Sequence, residues 1–419
     1  SDQGPDACPW DNGELMVEIL SLRQQQAKLL GFQNYADYSL ARKMASDANE
    51  VLDFLNGLAS KSRAVAESEL DELRKYAAEY HQMSDLQAWD IPYYSEKLRV
   101  HKFDISQEEL RPYFPAPKVI TGMFAVVNRL YDIDIHKVEN VDVWHDDVQF
   151  NEIYDSAGQL RGSFYLDLYA RPKKRGGAWM DECVVRRCKG SEVQAPVAYL
   201  TCNFTPPVGT DSSLLTHDEV ITLFHEFGHG LHHMLTLVDY PEVSGINGVA
   251  WDAVELPSQF MENWCWEPES MDLLSSHYQT GAALPDGLFK KLLNAKFFQT
   301  GMQMLRQLEF ALFDFRLHHE RRGSSVEDIQ DLLNDVRSDV AVIRTPDYNR
   351  FQHGFSHIFA GGYSAGYYSY KWAEVLSADA FSKFEENGIF DTRTGKQFLN
   401  SILEQGGSRD PMDLFVEFR

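Results

Sequence analysis

Apolar and polar positions follow three successive rhythms along the chain. Up to about residue 140, apolar residues recur every three or four positions, which is typical of amphipathic helices. The polar start signal Asp11-Asn-Gly-Glu14 predicts a first helix that ends near Gly31. A second signal, Asp47-Ala-Asn-Glu50, predicts a long helix that runs towards His81.

Prolines divide the remainder of this helical region. A shorter helix over 86–100 is expected to be interrupted at Pro92, because proline lacks the backbone N–H that a helix interior needs. Three prolines between residues 112 and 117 mark a connection, and helical spacing resumes over 119–130.

From about residue 140 the apolar positions alternate with a period of two, which predicts strands. Segments 148–150 and 164–169 flank Asp155-Ser-Ala-Gly158, a sequence typical of hairpin turns. A third strand is predicted over 196–204 and ends at Pro206-Pro-Val-Gly209. Basic residues from position 173 onward, between the second and third strands, predict a solvated loop, with a surface that binds carboxylates as the alternative. They are Lys173, Lys174, Arg175, Arg186, Arg187 and Lys189.

Helical spacing returns beyond this small sheet. Helices are predicted over 288–315, over 325–342, and in a final segment that ends near Gly406. The fold class is therefore mainly α with a small β-sheet, an α+β arrangement. The same rhythm divides the chain into a helical region, 1–140, and a second region, 141–419, which contains the residues discussed next.

Composition excludes several classes of partner. With 419 residues, 44% hydrophobic and 13% aromatic, the chain can form a large globular core. The formal net charge of −24 argues against a nucleic-acid partner, because phosphate binding requires concentrated Lys and Arg. No apolar run reaches membrane-spanning length, so a membrane partner is not expected either. Scattered cysteines indicate a reducing compartment and do not pair into a second metal site. They are Cys8, Cys183, Cys188, Cys202 and Cys265.

The segment His225-Glu-Phe-Gly-His229 carries the clearest chemical signal. Two histidines four residues apart lie on the same face of a helix, so both imidazoles can bind one metal ion. Glu226 lies about 100° around the helix from His225, where it can hold an attacking water without being a ligand. Two imidazoles, a third protein ligand and a water form the open coordination of a catalytic zinc site.

The surrounding residues place this motif on a buried helix. Thr216-His-Asp-Glu219 has the form of a capping box and predicts the start of the helix. Apolar residues then occur on nearly every side of it, as in a helix within a core. Because two histidines and a glutamate are costly to bury without partners, this context favours a metal site over a chance occurrence of the motif.

The third ligand must come from another element. The metzincin pattern requires Gly and His three and six positions after the second histidine, whereas this chain has His232 and Leu235 there. Downstream, Asp252 and Glu255 have the spacing of a capping box, which predicts a second helix with Pro257 in its first turn. Geometry alone leaves four acidic candidates. They are Glu242, Asp252, Glu255 and Glu262.

The motif followed by Asp252-x-x-Glu-x-Pro-Ser-Gln259 resembles the thimet oligopeptidase family of zinc peptidases, peptidase family M3, in its bacterial-type branch. The resemblance implies one Zn²⁺ per chain and makes Glu226 the general base. The implied metal ligands are His225, His229 and Glu255.

Four further residues near the motif have less certain roles. Asp252 and Gln259 are candidates for orienting the ligands, with capping and packing as the alternative. His232 and His233 are expected to be structural histidines with satisfied hydrogen bonds. The small sheet directly precedes the motif, where an edge strand can pair with an extended peptide; a purely structural sheet is the alternative.

A second segment, His353 to Tyr370, combines histidines, glycines and tyrosines. Its glycines permit backbone conformations that other residues resist, so a mobile loop is expected. Tyr363, Tyr367 and Tyr370 are spaced four and three apart, which places the phenols on one side if the segment is helical. Together with the histidines, such phenols suit hydrogen bonding to a reacting amide.

The same family has a His-x-x-Ala-Gly-Gly-Tyr segment, followed by further tyrosines, that closes over the zinc. By this resemblance Tyr370 donates a hydrogen bond to the developing oxyanion, and His357 supports catalysis. Tyr363 and Tyr367 are then the substrate-binding residues.

The resemblance also implies a mostly helical, zincin-like fold with a deep channel that admits short peptides. Family members are longer, so the chain looks like the catalytic part without an N-terminal segment. Region 1–140 would then form part of the channel wall. We expect a monomer in the cytoplasm, or in an organellar matrix if a targeting segment precedes this sequence.

These observations predict a zinc-dependent endopeptidase that hydrolyses short peptides. One alternative is a dipeptidyl carboxypeptidase of the same family, which would use the same zinc ligands but require a free substrate C-terminus. A peptide-binding protein without catalysis is the second alternative. A protein that only binds peptides does not need His225, Glu226 and His229 together with Glu255. The presence of all four residues therefore argues against this alternative.

Overall fold

The computed structural model describes residues 11–209, 212–320 and 323–419, so Cys8 lies outside the described residues. The α-helices are α1 Gly13–Leu29, α2 Tyr35–Leu40, α3 Ala48–His81, α4 Ile91–Phe103, α5 Gln107–Leu110, α6 Ala116–Tyr131, α7 His217–Met234, α8 Leu256–Glu262, α9 Pro268–Leu274, α10 Asp286–Ala295, α11 Thr300–His319, α12 Val326–Val340, α13 Ser356–Phe359, α14 Ser369–Asn387, α15 Thr392–Phe398 and α16 Pro411–Phe418. The strands are β1 Ile133–Val138, β2 Gln149–Asp155, β3 Leu160–Tyr169, β4 Trp179–Val184, β5 Arg187–Lys189, β6 Glu192–Gln194 and β7 Val197–Phe204. A mainly helical chain with a small sheet confirms the predicted fold class.

The chain forms two compact units, and each is built from two separate segments. The first unit contains the described residues up to Asp104 together with Asn294–Tyr370. The second contains Ile105–Leu293 together with Lys371–Arg419. This division differs from a single boundary near residue 140, because apolar helix faces far apart in the sequence pack against each other within each unit.

The first unit is helical and centres on the packing of α3 against α11. The predicted start of the long helix is confirmed: the Asp47 side chain accepts hydrogen bonds from the backbone N–H groups of Asn49 and Glu50. The expected break at Pro92 is wrong. Helix α4 begins at Ile91, so Pro92 occupies its first turn, where a missing N–H costs little.

The helix expected over 288–315 is also divided. Helix α10 ends at Ala295 and α11 begins at Thr300. Gln299, directly before α11, has a left-handed backbone with φ of 56°, which a continuous helix cannot contain. Likewise, the single final helix expected to end near Gly406 is divided into α14, α15 and a π-helical turn at Leu399–Leu403, and the further helix α16 follows Gly406.

The second unit contains a mixed five-stranded sheet in the order β1-β2-β3-β7-β4. The predicted hairpin of β2 and β3 is confirmed, and β3 pairs with β7 in parallel while the other neighbours are antiparallel. Strand β4 lies at the edge of the sheet, next to β7. Strands β5 and β6 form a separate pair.

The expected solvated loop between β3 and β7 is therefore only partly correct, since it contains three strands. Lys173, Arg175, Arg187 and Lys189 are exposed. The Nζ atom of Lys174, however, lies 2.8 Å from Oδ1 of Asp167, and the Lys174 side chain is only 5% exposed. Arg186 forms an ion pair with Asp239 at 2.9 Å. These two cations stabilise the unit internally.

Helix α7 packs against the sheet and against α8. Its predicted capping box is confirmed, because Thr216 and Glu219 each accept a hydrogen bond from the backbone of the other. Phe227 lies on the sheet side of α7, with its ring centroid 5.6 Å from that of Phe164 on β3. These contacts fix the helix that carries the motif.

A close backbone contact joins the two segments of the second unit. The N–H of Gly407 donates to the carbonyl oxygen of Val243 at 2.9 Å. A Cβ atom at Gly407 would lie 2.3 Å from the backbone of Gly248. The segment after the π-helical turn therefore packs directly on the loop that leads to α8.

Across the described ranges, the helices are all too short or too polar to span a lipid bilayer.

Candidate metal centre

Helix α7 and the start of α8 bring together three donor atoms. The ring centroids of His225 and His229 lie 5.0 Å apart, as expected for positions i and i+4. The Nε2 atoms of these histidines lie 3.3 Å and 3.1 Å from the same oxygen, Oε2 of Glu255. Within the part of the chain that the structure describes, these three residues are the group whose metal-binding atoms all lie within 4.8 Å of one another.

Gly228 allows the two helices to approach closely enough for this arrangement. A Cβ atom at Gly228 would lie 2.4 Å from the carbonyl oxygen of Pro257 and 2.6 Å from Cα of Ser258. Any larger residue would push α8 away from α7. The glycine inside the motif is therefore a packing requirement that keeps Glu255 next to the two histidines.

Glu255 is held in place by its own helix. It is the residue before α8, and its side chain is 1% exposed. Ser258 donates a hydrogen bond to the Glu255 carboxylate at 2.9 Å. Burial alone would raise the pKa of Glu255, but His229 and His225 hold that pKa well below its ordinary value. The carboxylate is thus ionised, as a ligand must be.

A second carboxylate orients His225. The Nδ1 atom of His225 lies 2.7 Å from Oε1 of Glu262, the last residue of α8. A carboxylate accepts only, so Nδ1 carries the proton and Nε2 faces Glu255. Burial opposes the charged imidazole, but Glu255 and Glu262 together raise the pKa of His225 well above its ordinary value.

Glu226 lies outside the group of three donors, as expected of a general base. Its side chain is 6% exposed, and burial raises the pKa of its carboxyl above the ordinary value, despite a backbone hydrogen bond from Met180 that lowers it. Met180 belongs to the edge strand β4. Glu226 is therefore directly connected to the edge of the sheet.

The remaining acidic candidates do not join the donor group. Glu242 lies in a short 3₁₀ turn at Pro241–Val243. Asp252 is fully buried and Gln259 is half-buried, both beside Glu255 in the chain, which suits either orientation of ligands or packing. The predicted capping box at Asp252 is wrong, since α8 begins four residues later with Glu255 as its preceding residue.

The two histidines after the motif differ from each other. His233 is buried, and its Nε2 donates to the carbonyl oxygen of Val184 at 3.0 Å, which meets the prediction at this nitrogen, whereas Nδ1 has no hydrogen-bond partner among the described residues. His232 is 3% exposed, and in the described residues neither ring nitrogen has a hydrogen-bond partner. The expectation of satisfied hydrogen bonds is therefore wrong for His232. Burial lowers its pKa to about 3, so the ring is neutral.

The glycine- and tyrosine-rich segment lies in the first unit, where its predicted residues form one cluster. The rings of Tyr363 and Tyr370 are stacked, with centroids 4.9 Å apart and an angle of 12°. The Tyr367 ring lies 5.0 Å from that of Tyr370, and the His357 ring lies 5.8 Å from that of Tyr363. The segment is not one continuous helix, because only Tyr370 belongs to α14.

Tyr367, one of the two predicted substrate contacts, is largely buried within the first unit. It is 8% exposed, and its phenol donates to Oε1 of Gln307 at 3.0 Å. His353, the other histidine of the segment, accepts a hydrogen bond from the backbone N–H of Asn12 at 3.0 Å.

Sequence reasoning missed three contributors to the metal centre. Ser258 was not identified as the donor to Glu255, although it belongs to the quoted Pro-Ser-Gln motif. Glu262 was considered only as a ligand, and its position on the face of His225 could not be read from its spacing. Met180 contributes through its backbone, for which side-chain identity gives no signal.

The donor set fits a divalent metal ion. Two imidazole nitrogens and one carboxylate oxygen are the ligands that catalytic zinc uses, and they leave a position for water or substrate. The carboxylate behind His225 matches the usual support of a metal-binding imidazole. Taken with the nearby buried glutamate, the centre can activate water and receive its proton.

Comparisons with known proteins agree with this chemistry. Residues 2–419 match the model of Peptidase family M3. The chain is 59% identical over 421 residues to oligopeptidase A of Escherichia coli strain K12, covering 100% of this chain and 62% of that protein. It is 36% identical over 412 residues to the dipeptidyl carboxypeptidase of the same organism, covering 98% of this chain and 60% of that protein.

A solved structure shows the same fold at much lower sequence identity. PZ peptidase A with an inhibitor aligns with a TM-score of 0.55 at 16% identity, covering 97% of this chain and 61% of the other. The chain thus spans about three fifths of the length of the relatives that it matches. The match along its whole length confirms the resemblance found in the sequence: the chain belongs to peptidase family M3.

Proposed function

We propose that this chain is the catalytic part of a zinc-dependent endopeptidase that hydrolyses short peptides. The observation that carries the proposal is the Glu255 carboxylate within 3.3 Å and 3.1 Å of two imidazole nitrogens, with Glu226 on the same helix. The similarity to oligopeptidase A supports an endopeptidase. The 141–419 region would supply the catalytic residues.

His225, His229 and Glu255 would hold one zinc ion through Nε2, Nε2 and a carboxylate oxygen. When bound, zinc acts as a Lewis acid that polarises the peptide carbonyl and makes water a better nucleophile. Glu262 and Ser258 keep two of the three ligands oriented. Asp252 and Gln259 are proposed to contribute to the same support.

Glu226 would act as the general base. Burial raises its pKa above the ordinary value, which suits a group that accepts a proton from the attacking water and then gives it to the leaving amine. Strand β4 reaches this carboxylate through the backbone of Met180. An extended peptide that pairs with β4 as an added strand would therefore have its backbone held near the base.

Tyr370 is proposed to donate a hydrogen bond to the carbonyl oxygen as that oxygen gains charge. The stacked ring of Tyr363 supports its orientation. His357 would assist catalysis, and Tyr363 and Tyr367 would contact the substrate. These roles rest on the resemblance of the His357–Tyr363 segment and on the clustering of the four rings.

The decisive experiment combines metal content with peptide cleavage. The purified chain is expected to contain about one zinc ion per chain and to cleave a quenched fluorescent peptide. Chelation should abolish cleavage, and added zinc should restore it. A chain that binds zinc but never cleaves peptides would contradict the proposal and favour a peptide-binding protein.

A peptide blocked at both ends separates the two peptidase alternatives. Cleavage of an N-acetylated, C-amidated peptide requires an endopeptidase, whereas a dipeptidyl carboxypeptidase needs a free C-terminal carboxylate. The 36% identity to a dipeptidyl carboxypeptidase is the reason for testing this alternative. Cleavage only of peptides with a free C-terminus would select it.

We further propose that short peptides are the partners of a monomeric protein in the cytoplasm, with an organellar matrix as the alternative. Size-exclusion chromatography with light scattering tests the monomer, and fractionation of cells that express the natural protein tests the compartment.

A further inference from the structure

A buried carboxylate in the first unit accepts hydrogen bonds from three consecutive backbone amides. Asp314, on α11, is fully buried. Its Oδ1 atom accepts from the N–H of Ala365 at 2.9 Å, and its Oδ2 atom accepts from Gly366 and Tyr367, also at 2.9 Å. Charge-assisted hydrogen bonds of this kind are stronger than neutral ones, so the amides of residues 365–367 are firmly fixed.

The opposite side of the same turn is held by α2 and the residues after it. Ser39 donates to the carbonyl oxygens of Ser364 and Ala365 at 3.2 Å and 3.3 Å. Lys43 donates to the carbonyl oxygen of Ala365 at 2.9 Å. The peptide groups between Ser364 and Tyr367 are therefore bonded through both their N–H and their C=O groups.

The conformation of this turn needs such support. Ala365 has φ of 47°, in the left-handed region that alanine rarely adopts. That conformation turns successive N–H groups towards one point, which creates a site for an anionic oxygen. Asp314 supplies that oxygen from within the protein.

Two further residues hold Asp314 in place. The Nδ1 atom of His318 lies 3.1 Å from Oδ1 of Asp314, and its Nε2 atom lies 3.0 Å from Nη1 of Arg23. Because the Arg23 guanidinium can only donate, Nε2 of His318 accepts, and Nδ1 donates to the backbone carbonyl oxygen of Asp314 at 2.8 Å. Arg23 therefore holds His318, which is bonded to the backbone of Asp314 and lies against its carboxylate.

The tyrosine cluster begins directly at this turn. Tyr367 is the third bonded residue, and its phenol reaches Gln307 on α11. Two residues later α14 begins, and the Tyr370 ring lies 5.0 Å from that of Tyr367. By contrast, Gly361 and Gly362 are exposed and lie in a bend. The sequence predicted that the glycines make this segment mobile, but Gly366 is fixed by its hydrogen bond to Asp314.

We propose that Asp314 is a positioning residue for the peptidase reaction, because it fixes the turn from which Tyr367 and Tyr370 project. This inference rests on the proposed function, in which Tyr370 stabilises the developing charge. The role needs the turn to be rigid, because a misplaced hydrogen-bond donor contributes little to the transition state. Any movement of the segment from His353 to Tyr370 is then confined to the residues that precede Ser364.

The test compares Asp314→Asn with Glu309→Gln in the full chain. The asparagine side chain places an NH₂ group against backbone N–H donors, so it should release the turn. Glu309 is an equally buried carboxylate on the same helix, but it pairs with Arg306 and Arg337 away from the turn. It therefore controls for the general effect of neutralising a buried carboxylate on α11.

Hydrogen exchange at the amides of residues 365–367 is the first measurement, since it needs no activity. We expect exchange there to be at least about tenfold faster in Asp314→Asn and unchanged in Glu309→Gln. The second measurement is kinetic. In Asp314→Asn, kcat should fall about 10- to 100-fold while KM changes less than about threefold and zinc content is retained.

Unchanged exchange at these amides in Asp314→Asn would overturn the proposal, and so would an equal loss of kcat in both variants. If Asp314→Asn does not fold, Ser39→Ala decides, because it weakens the turn from the carbonyl side. It should speed exchange and lower kcat in the same direction but less, and no change in either would overturn the proposal. If the natural chain cleaves no peptide, the proposed function fails, while exchange still tests the turn.

Discussion

The Nδ1 atom of His225 lies 2.7 Å from the carboxylate of Glu262, on the side of the ring opposite to Glu255. This contact holds the imidazole in the tautomer that presents Nε2 to a metal ion. We predict that Glu262→Gln lowers zinc affinity about 10- to 100-fold, because the amide leaves the imidazole less basic and less well oriented. Competition with a chelator at fixed pH measures the change. Glu269→Gln, an exposed position in the first turn of α9, should leave affinity unchanged.

Replacing Gly228 should disrupt the metal centre without touching a ligand. The added Cβ atom of Gly228→Ala would meet the carbonyl oxygen of Pro257 at 2.4 Å, so α8 must move and carry Glu255 away from the histidines. We expect a loss of about 1–3 kcal/mol in stability together with weaker zinc binding. Gly287→Ala, a helical glycine with open space around its Cβ position, is the matched control. Equal zinc affinity in both variants would contradict this explanation.

The Glu226→Gln substitution distinguishes metal binding from the proposed general-base role of Glu226. The side chain lies outside the group of three donors, so zinc content should stay near one ion per chain. Turnover should fall by about 10²- to 10⁴-fold, because the amide cannot accept the proton from water. Metal analysis and initial rates on the same preparation measure both quantities. Turnover within a few-fold of the natural chain would remove Glu226 from its proposed role.

Tyr370→Phe removes one hydroxyl and retains the stacked ring. If the phenol donates to the developing oxyanion, kcat should fall about 10²- to 10³-fold with little change in KM. The comparison variant is Tyr363→Phe, which removes the hydroxyl from the ring that stacks on Tyr370. Its proposed role is substrate contact, so a larger effect on KM than on kcat is expected there. A reversed pattern in the two variants would exchange their roles.

Asp167 should make the second unit sensitive to acid. Burial alone would raise the pKa of this carboxyl, but hydrogen bonds from Arg171, Lys174 and Trp144 lower it to about 2. Because the pKa is lower in the folded state, the stabilisation is complete above about pH 4 and is lost as the pH falls towards 2. It amounts to about 2 kcal/mol.

Denaturation of the natural chain and of Asp167→Asn at a series of pH values checks this linkage. The difference in free energy of unfolding should be at least about 2 kcal/mol at pH 7 and should shrink below pH 4. Asp155→Asn, at a turn carboxylate that accepts hydrogen bonds from the backbone N–H groups of Ala157 and Gln159, provides a comparison of smaller effect. A difference that stays constant down to pH 2 would contradict the prediction.

Local sequence signals were sufficient for the elements that they directly encode. The capping box at Thr216, the cap at Asp47 and the hairpin turn after β2 all depend on a few neighbouring residues. The spacing of His225 and His229 likewise determined that their rings share a face. Where one proline supports two outcomes, as at Pro92, the sequence could not tell a helix start from a helix break.

Other features depended on tertiary packing and had no local signal. Strand β4 lies at the sheet edge and none of its residues is fully buried, so it lacks the alternation of apolar residues that revealed β3. The partnership of Glu262 with His225 depends on how α8 crosses α7, which Gly228 controls. Asp314 and the turn that it holds are 51 to 53 residues apart in the chain, and nothing in either segment indicates the other.

The contact of Gly407 with the loop around Gly248 has a consequence for biosynthesis. A ribosome delivers His225, His229 and Glu255 well before it delivers the residues from Lys371 onward that complete the same unit. Nascent chains arrested before residue 371 should therefore capture zinc poorly, even though every ligand has already emerged. We therefore expect the ion to be acquired only after the residues from Lys371 onward have emerged and packed.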